Sequence, residues 1–240
     1  MEYISMKKFF IILTTAVATA FITATFLCVQ ALNAARSVSV FADGEMRIVL
    51  DAGHGGIDGG VQGKKTGVKE SDLNLAFTHS LKDVLEDMGF AVTLTRKTEA
   101  GLYGAPTKGF KKRDMQKRKE IIEEIKPALV LSIHQNFYPS QTSRGGQVFY
   151  HKTDENSRIL AENIQNQINE LYQKQGVRER KCLAGEYFML ECTSYSTVII
   201  ECGFLSNAED EKLLNSEIWR AEFSHAVGAG VIQFLSSFTA

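Results

Sequence analysis

The sequence predicts an α/β domain in which a largely parallel sheet lies between layers of helices, preceded by an N-terminal membrane segment. Short runs rich in β-branched and aromatic residues recur after residue 45, and helical patterns fall between them. Such alternation is typical of α/β proteins with a parallel sheet. A long uncharged apolar run near the N-terminus predicts the membrane segment.

The apolar run from Phe9 to Leu32 is long enough to cross a bilayer as a helix. Because Lys7 and Lys8 precede it, we expect the N-terminus in the cytoplasm and the rest of the chain outside the membrane. Small residues that suit signal cleavage lie near Ala31 and Ala42, so the segment is either a signal peptide or an uncleaved anchor.

The exported part divides into a linker and one domain. The linker has no clear hydrophobic period, and the domain begins near Met46. We therefore expect a signal or anchor segment at 1–35, a linker at 36–45 and a folded domain at 46–240.

The strands and helices of this domain alternate along the chain. The best helical pattern runs from Ser71 to Met88, and Gly89 ends it. Three further helices are predicted at Lys111–Ile125, Asp154–Lys174 and Ser216–Leu235. Six runs are predicted as strands: RIVLD (47–51), FAVTLT (90–95), ALVLSIH (128–134), GQVFYH (146–151), EYFML (186–190) and TVIIE (197–201).

Composition excludes one class of partner and bounds the cysteine chemistry. Lys plus Arg number 27 against 28 Asp plus Glu, so we expect no nucleic-acid binding. Cys28 lies in the apolar segment, and the other three cysteines form no C-x-x-C pair, so we interpret them as small buried hydrophobic residues. A disulfide between Cys182 and Cys192 remains an alternative.

The glycine-rich stretch LDAGHGGIDGG, Leu50 to Gly60, does not fit a dinucleotide-binding loop. That loop needs a third glycine where Asp58 stands, and it opens directly into a helix. Here a further loop intervenes before the first helical pattern. The histidine in the stretch, His54, therefore needs another explanation.

Four polar residues converge on one edge of the predicted sheet. His54 follows the first strand, His134 and Glu201 each close a later strand, and Glu70 directly precedes the first helix. In open α/β sheets, ligands bind at the carboxyl ends of the strands. We therefore expect these four side chains to lie close together.

Their residue types favour a catalytic zinc site. Two histidines and a carboxylate leave a fourth position open for water, as in catalytic rather than structural zinc sites. Glu201 lies within a nearly continuous apolar run, where an unpaired carboxylate is costly, so it needs a partner and is the candidate base. Glycines around His54 let the backbone pass close to an ion.

Other hydrolase chemistries fit the sequence less well. Neither H-E-x-x-H nor a glutamate three residues after His54 is present, which excludes the thermolysin-like and carboxypeptidase-like zinc patterns. A cysteine peptidase using Cys202 with His134 is the remaining rival. Its thiol would normally lie at an electropositive helix start, whereas Cys202 follows a strand and a carboxylate.

Five blocks in order, IVLDAGHGGIDGG, KESDLNLAF, VTLTR, LVLSIHQN and VIIECGFLSN, resemble the zinc-dependent N-acetylmuramoyl-L-alanine amidases of the amidase-3 family. The resemblance runs from about Arg47 to Phe238. It implies a six-stranded sheet flanked by helices, and a peptidoglycan substrate cut between the lactyl group of muramic acid and the first L-alanine of the stem peptide. It also implies the site residues: zinc ligands His54, Glu70 and His134, and catalytic Glu201.

The resemblance extends to residues around this site. Arg96, Arg118 and Asn136 match recurrent family positions, and it leaves open whether they act in structure or in substrate contact. Gln135 and Phe137 stand where small residues are common in the family. We therefore expect the cleft beside the metal to differ in shape.

The stretch from Gly101 to Ile122, the N-terminal segment and the lack of a wall-binding module most resemble the germination-specific branch of the family. Members of that branch prepare muramic lactam in the spore cortex. The alternatives are a general vegetative wall amidase and a peptidoglycan-binding module without turnover.

The connection after Asn136 is too short for a helix that would block the metal site. Only FYPSQTSRGG (137–146) separates Asn136 from the next strand. We therefore expect regulation through expression, location or an activating partner protein.

Overall fold

The computed structural model describes residues 46–237 of the chain. The segment predicted at 1–35, the linker at 36–45 and Cys28 lie outside these residues. Across residues 46–237, no helix combines the length and apolar character that a bilayer crossing requires. The membrane segment and its topology therefore stay predictions.

Six strands form a single sheet, as the family resemblance implies. Their bounds are β1 (Arg47–Ala52), β2 (Ala91–Leu94), β3 (Leu129–Asn136), β4 (Gln147–Tyr150), β5 (Leu183–Ala184) and β6 (Ser196–Phe204). The order across the sheet is β2, β1, β3, β6, β4, β5. Only β4 and β6 pair antiparallel. The prediction of a mostly parallel α/β sheet is confirmed.

Helices cover both faces of the sheet. Their bounds are α1 (Glu70–Asp87), α2 (Phe110–Ile125), α3 (Glu155–Gln173), α4 (Phe188–Glu191), α5 (Ala208–Leu214) and α6 (Glu217–Ser236). The four long helices lie within one residue of the predicted bounds at each end. The short helix α5 and the two-residue strand β5 are not predicted from the sequence.

The two faces carry different helices. Helices α1 and α3 pack against one face of the sheet, and α6 packs against both of these helices. On the other face, Val49, Val130 and Ile199 from three neighbouring strands pack with Ile122 of α2 and with α4. Because helices cover both faces of the sheet, side chains that point to either face are buried, and the strands are therefore continuous apolar runs.

The run EYFML (186–190) is not a strand, and that prediction is wrong. Residues Phe188–Glu191 form the single turn α4. Met189 and Leu190 are buried against the core, whereas Tyr187 and Phe188 remain 44% and 46% exposed. A five-residue apolar run has too few residues for hydrophobic period to distinguish a helical turn from a strand.

Candidate metal centre

His54 lies at the start of the glycine loop, defined here as residues 53–69 between β1 and α1. Its backbone has a φ of 61°, which residues other than glycine rarely adopt. At the preceding position, a Cβ would overlap the imidazole ring of His134. Gly53 therefore allows the loop and the end of β3 to approach closely enough to bring the two histidines together.

Glu70 begins α1 and points back under the glycine loop. Its Oε2 accepts a hydrogen bond from the Val61 N–H at 3.0 Å, and its Oε1 accepts one from the Gln135 N–H at 3.2 Å. Burial alone would raise the pKa of Glu70, but His134 and His54 outweigh burial and hold that pKa well below its usual range. The carboxylate is therefore ionised and fixed in place.

The side chains of His54, Glu70 and His134 form one cluster, as predicted. Oε1 of Glu70 lies 3.2 Å from Nε2 of His54 and 3.0 Å from Nδ1 of His134. One ligand atom from each residue lies within 4.8 Å of the others. In a tetrahedral zinc site, bonds of about 2.0–2.2 Å put ligand atoms roughly 3.3 Å apart. The donor types and their spacing therefore fit a zinc ion.

Asp58 lies between His54 and the exposed side chain of Lys111. Its Oδ2 is 3.1 Å from Nδ1 of His54, and its Oδ1 is 3.2 Å from Nζ of Lys111. A carboxylate beside the second ring nitrogen fixes the orientation of a ligating histidine. In this structure no described residue hydrogen-bonds Nδ1 of His54, so Asp58 acts on His54 here through its nearby charge.

Glu201 is the direct neighbour of His134 in the parallel register of β3 and β6. Its Oε2 is buried, and no residue in the described range hydrogen-bonds it. Burial raises the pKa of Glu201 to about 7. A buried carboxyl oxygen without a partner costs free energy, so this group is poised to interact with something that enters the site.

Arg96 holds the backbone at the start of the glycine loop. Its guanidinium donates to the carbonyls of Ala52, Gly53 and Ser71 at 2.8, 3.0 and 2.8 Å. The residue is 3% exposed. Three of its donors are thus committed to backbone carbonyls around the loop.

Arg118 is wholly buried beneath the same loop. It donates to the carbonyls of Ala52 and His54 at 2.7 and 2.6 Å and pairs with Asp51 and Asp114 at 2.5 and 2.7 Å. Neither arginine is among the described residues that line the neighbouring pocket. Of the two roles that the family resemblance leaves open, this geometry favours structure over substrate contact for Arg96 and Arg118.

Glu211 of α5 fastens the far end of the glycine loop. Its carboxylate accepts hydrogen bonds from the Thr66 N–H at 2.7 Å, the Thr66 hydroxyl at 2.6 Å and the Lys65 N–H at 2.9 Å. A Cβ at Gly63 would overlap this carboxylate. Sequence reasoning does not find Glu211, because nothing in the local pattern indicates a contact 145 residues away.

A pocket of about 440 Å³ opens beside the cluster. His54, Glu70, His134, Glu201 and Asn136 all line it. Its wall includes Lys111 and Met115 from α2, and three aromatic side chains, called here the pocket aromatics: Phe137, Tyr187 and Phe188. Asn136 is the one residue of the predicted substrate-contact set that borders this space.

The two departures from the family pattern differ in burial. Gln135 is buried and borders the pocket, and its Nε2 donates to Oδ1 of Asn74 of α1 at 3.2 Å. Phe137 is 37% exposed on the pocket wall, with Nζ of Lys64 5.5 Å from its ring centroid. Both residues therefore border the pocket, and a difference in cleft shape from the family stays a prediction.

Cys202 is not placed to act as a nucleophile. Cys182, Cys192 and Cys202 are free thiols, so the alternative disulfide does not form in this structure. Cys202 is fully buried, and burial raises its pKa well above the usual value. A nucleophilic cysteine needs a lowered pKa and access to substrate, so the structure disfavours the cysteine-peptidase alternative.

This chain is similar in sequence and in fold to known proteins. The family model for Amidase_3, N-acetylmuramoyl-L-alanine amidase, matches residues 48–233. A germination-specific N-acetylmuramoyl-L-alanine amidase of Bacillus subtilis (strain 168) is 33% identical over 193 residues, which cover 79% of each chain. The N-acetylmuramoyl-L-alanine amidase LytC of the same organism is 26% identical, covering 78% of this chain and 35% of that relative. The solved CwlD amidase of Clostridioides difficile, in complex with the GerS lipoprotein, gives a TM-score of 0.76 at 33% identity and covers 80% of this chain and 100% of that one.

Proposed function

The chain belongs to the Amidase_3 family and is a peptidoglycan amidase of that family, and we propose that it works as a zinc enzyme in the spore cortex. The bond cleaved joins the lactyl group of N-acetylmuramic acid to the L-alanine of the stem peptide. His54, Glu70 and His134 hold the zinc, and Glu201 is the general acid–base group. The observation that carries this proposal is the cluster of three ligand-type side chains within 4.8 Å beside a buried, unpartnered Glu201 oxygen.

A bound zinc ion supplies Lewis acidity, which polarises the scissile carbonyl and makes water a better nucleophile. The chain's own residues supply the proton transfer. Glu201 takes a proton from the attacking water as its oxygen bonds to the carbonyl carbon. It then gives that proton to the alanine nitrogen as the carbon–nitrogen bond breaks, because without the proton the nitrogen would have to leave as a strongly basic anion.

The ionisation of Glu201 matters for this role. Burial raises its pKa to about 7, and a nearby dication lowers the pKa of a carboxyl by favouring its charged form. With zinc bound, Glu201 is therefore ionised and can accept a proton at neutral pH. Asn136, at the end of β3 and on the pocket wall, is proposed to contact substrate.

The cellular setting is proposed from the relatives. Likeness to a germination-specific amidase and to an amidase solved with a lipoprotein supports muramic-lactam formation in the spore cortex, assisted by a partner protein. Action outside the cytoplasmic membrane, with the segment at 1–35 as signal or anchor, accords with a wall substrate. A general vegetative wall amidase is the alternative within the same chemistry.

The test separates the amidase from a binding module without turnover. Glu201→Gln nearly preserves shape but removes the proton acceptor, so turnover should fall by about a hundred- to ten-thousand-fold. Zinc content, melting temperature and released muropeptides would be measured on the same full-length preparation. The matched control is Glu222→Gln, an exposed glutamate of α6.

Two outcomes count against the proposal. Near-normal cleavage by Glu201→Gln with normal zinc content removes Glu201 from the mechanism. Wild-type protein that binds zinc and peptidoglycan but releases no stem peptide favours the binding module.

A further inference from the structure

Lys111 differs in charge from its neighbours in the pocket. It lies in the first turn of α2, and its side chain is 67% exposed. Among the described residues that line the pocket, it alone has a lysine or arginine side chain, whereas five have carboxyl groups: Asp51, Asp58, Glu70, Asp114 and Glu201. Among the described residues of the pocket lining, Lys111 is therefore the side chain whose permanent positive charge can attract an anionic ligand.

The ammonium group of Lys111 is held beside the candidate metal centre. Its Nζ lies 3.2 Å from Oδ1 of Asp58, and the other oxygen of Asp58 lies 3.1 Å from Nδ1 of His54. An ammonium group has three N–H donors, and the pairing with Asp58 occupies one of them. Lys111 therefore lies in the lining of the pocket that holds the candidate metal centre, with donors left for a ligand.

Helix stability alone does not explain the charge at this corner. The residue before helix α2, Gly109, provides no side-chain cap, and the first turn of the helix has no acidic residue. That turn carries Lys111, Lys112 and Arg113 instead. Cations are disfavoured at a helix N-terminus, so the positive charge here works against the helix and favours an anion in the pocket.

We propose that Lys111 is a specificity-determining residue that binds a carboxylate of the stem peptide. This inference rests on the proposed amidase function. When the second stem residue is a γ-linked glutamate, its free α-carboxylate lies at most about 7 Å from the scissile nitrogen, since adjacent Cα atoms are about 3.8 Å apart. Lys111 thus distinguishes stems that keep this carboxylate from stems in which it is an amide.

A rival role for Lys111 makes a different forecast. If Lys111 only steadies Asp58 and through it His54, its loss lowers turnover of every substrate by the same factor. If it binds the carboxylate, its loss lowers the preference between an acid and its amide. The ratio of the two rates therefore separates the roles.

The experiment compares two muramyl-peptide substrates that differ only in a carboxylate or carboxamide on the second residue. Wild-type full-length protein should favour the acid by about fivefold in kcat/KM, the scale of a partly exposed charged hydrogen bond. Lys111→Gln should bring the ratio close to one, mainly through KM, and Lys111→Arg should restore the preference. Lys112→Gln, at an exposed neighbouring lysine outside the pocket lining, should keep the wild-type ratio.

Binding of uncleaved product peptides provides a readout that does not depend on turnover. L-alanyl-γ-D-glutamate should bind wild-type protein more tightly than its α-amide in calorimetry, and Lys111→Gln should remove the difference. An unchanged ratio in Lys111→Gln, or no preference in the wild type, overturns the proposal. Protein that cleaves neither substrate counts against the amidase function, while the binding pair still decides the role of Lys111.

Discussion

The glycine loop and the pocket aromatics border the same pocket, yet the protein holds them in different ways. The loop is fastened by buried groups, with Arg96 and Arg118 beneath its start and Glu211 at its far end. Two of the pocket aromatics, Tyr187 and Phe188, lie at the start of the single helical turn α4 and stay 44% and 46% exposed. A site for an ion needs fixed donors, whereas a site for a polymer needs accessible contact surface.

The largest effect is expected from removing a ligand beside the loop. His134→Ala should lose stoichiometric zinc and at least about a thousandfold in turnover, because metal catalysis contributes several kcal/mol. Elemental analysis and muropeptide release would measure both. His225→Ala, at an exposed position of α6, is the control. If His134→Ala retains one zinc per chain, the ligand assignment is wrong.

The next effect tests whether the support of the loop is structural. Arg118→Met leaves Asp51 and Asp114 buried without their cation, so the free energy of unfolding should fall by about 3–5 kcal/mol. Arg158→Met removes solvent-exposed ion pairs with Glu155 and Glu162 and should leave the free energy of unfolding nearly unchanged. Denaturant midpoints of the two variants would measure the difference. Similar small losses in both would show that the buried network does not stabilise the loop.

Acidification tests the same network by another route. Burial alone would raise the pKa of Asp51, but Arg118 and the hydroxyls of Ser132 and Thr95 lower it to about 2. A carboxyl with a lowered folded pKa stabilises the protein above its unfolded pKa and loses that contribution as pH falls through the folded value. We expect about 2 kcal/mol of unfolding free energy to be lost between about pH 4 and pH 2.

The variant Asp51→Asn provides the check on that expectation. It cannot titrate at this position, so its unfolding free energy should fall less steeply over the same pH interval. An equally steep fall in Asp51→Asn would assign the acid sensitivity to other carboxyls.

The part of the site that sequence predicts lies near strand ends and at the start of α1, where Glu70 stands. His54 follows β1, whereas β3 and β6 continue past His134 and Glu201. The predicted strand ends are therefore too early, but the parallel register still brings these side chains to one edge of the sheet. The long helices follow from their hydrophobic period. The order of strands and helices along the chain, together with the hydrophobic period of the helices, is sufficient to predict these features.

The features that sequence misses depend on contacts between distant residues. Glu211 reaches the glycine loop across more than 140 residues, and no local pattern encodes that pairing. The turn at Phe188–Glu191 is too short to show a hydrophobic period, so the prediction of a strand for this segment is wrong. The positions of Tyr187 and Phe188 at the pocket are missed for the same reason. The burial of Arg96 and Arg118 is likewise set by the carbonyls that surround them after folding.

The smallest expected effect concerns the pocket aromatics. Phe188→Ala removes a ring that is 46% exposed and lines the pocket, so the free energy of unfolding should change by about 0.5 kcal/mol or less. The same ring offers apolar contact to substrate, and aromatic contacts contribute about 0.5–1.5 kcal/mol. KM should therefore rise by roughly two- to tenfold, while zinc content and kcat stay near wild type.

Ile218→Ala is the control for this variant, because Ile218 is a large apolar residue that is 75% exposed and lies outside the pocket lining. It should leave both stability and KM near wild type. If Phe188→Ala instead loses about 2 kcal/mol or more of unfolding free energy, the turn is part of the core and does not differ from the glycine loop in the way its exposure implies. If stability and KM are both unchanged, Phe188 makes no contact with substrate. Only a change in KM without a change in stability supports a pocket in which buried polar groups hold the ion and exposed rings bind the polymer.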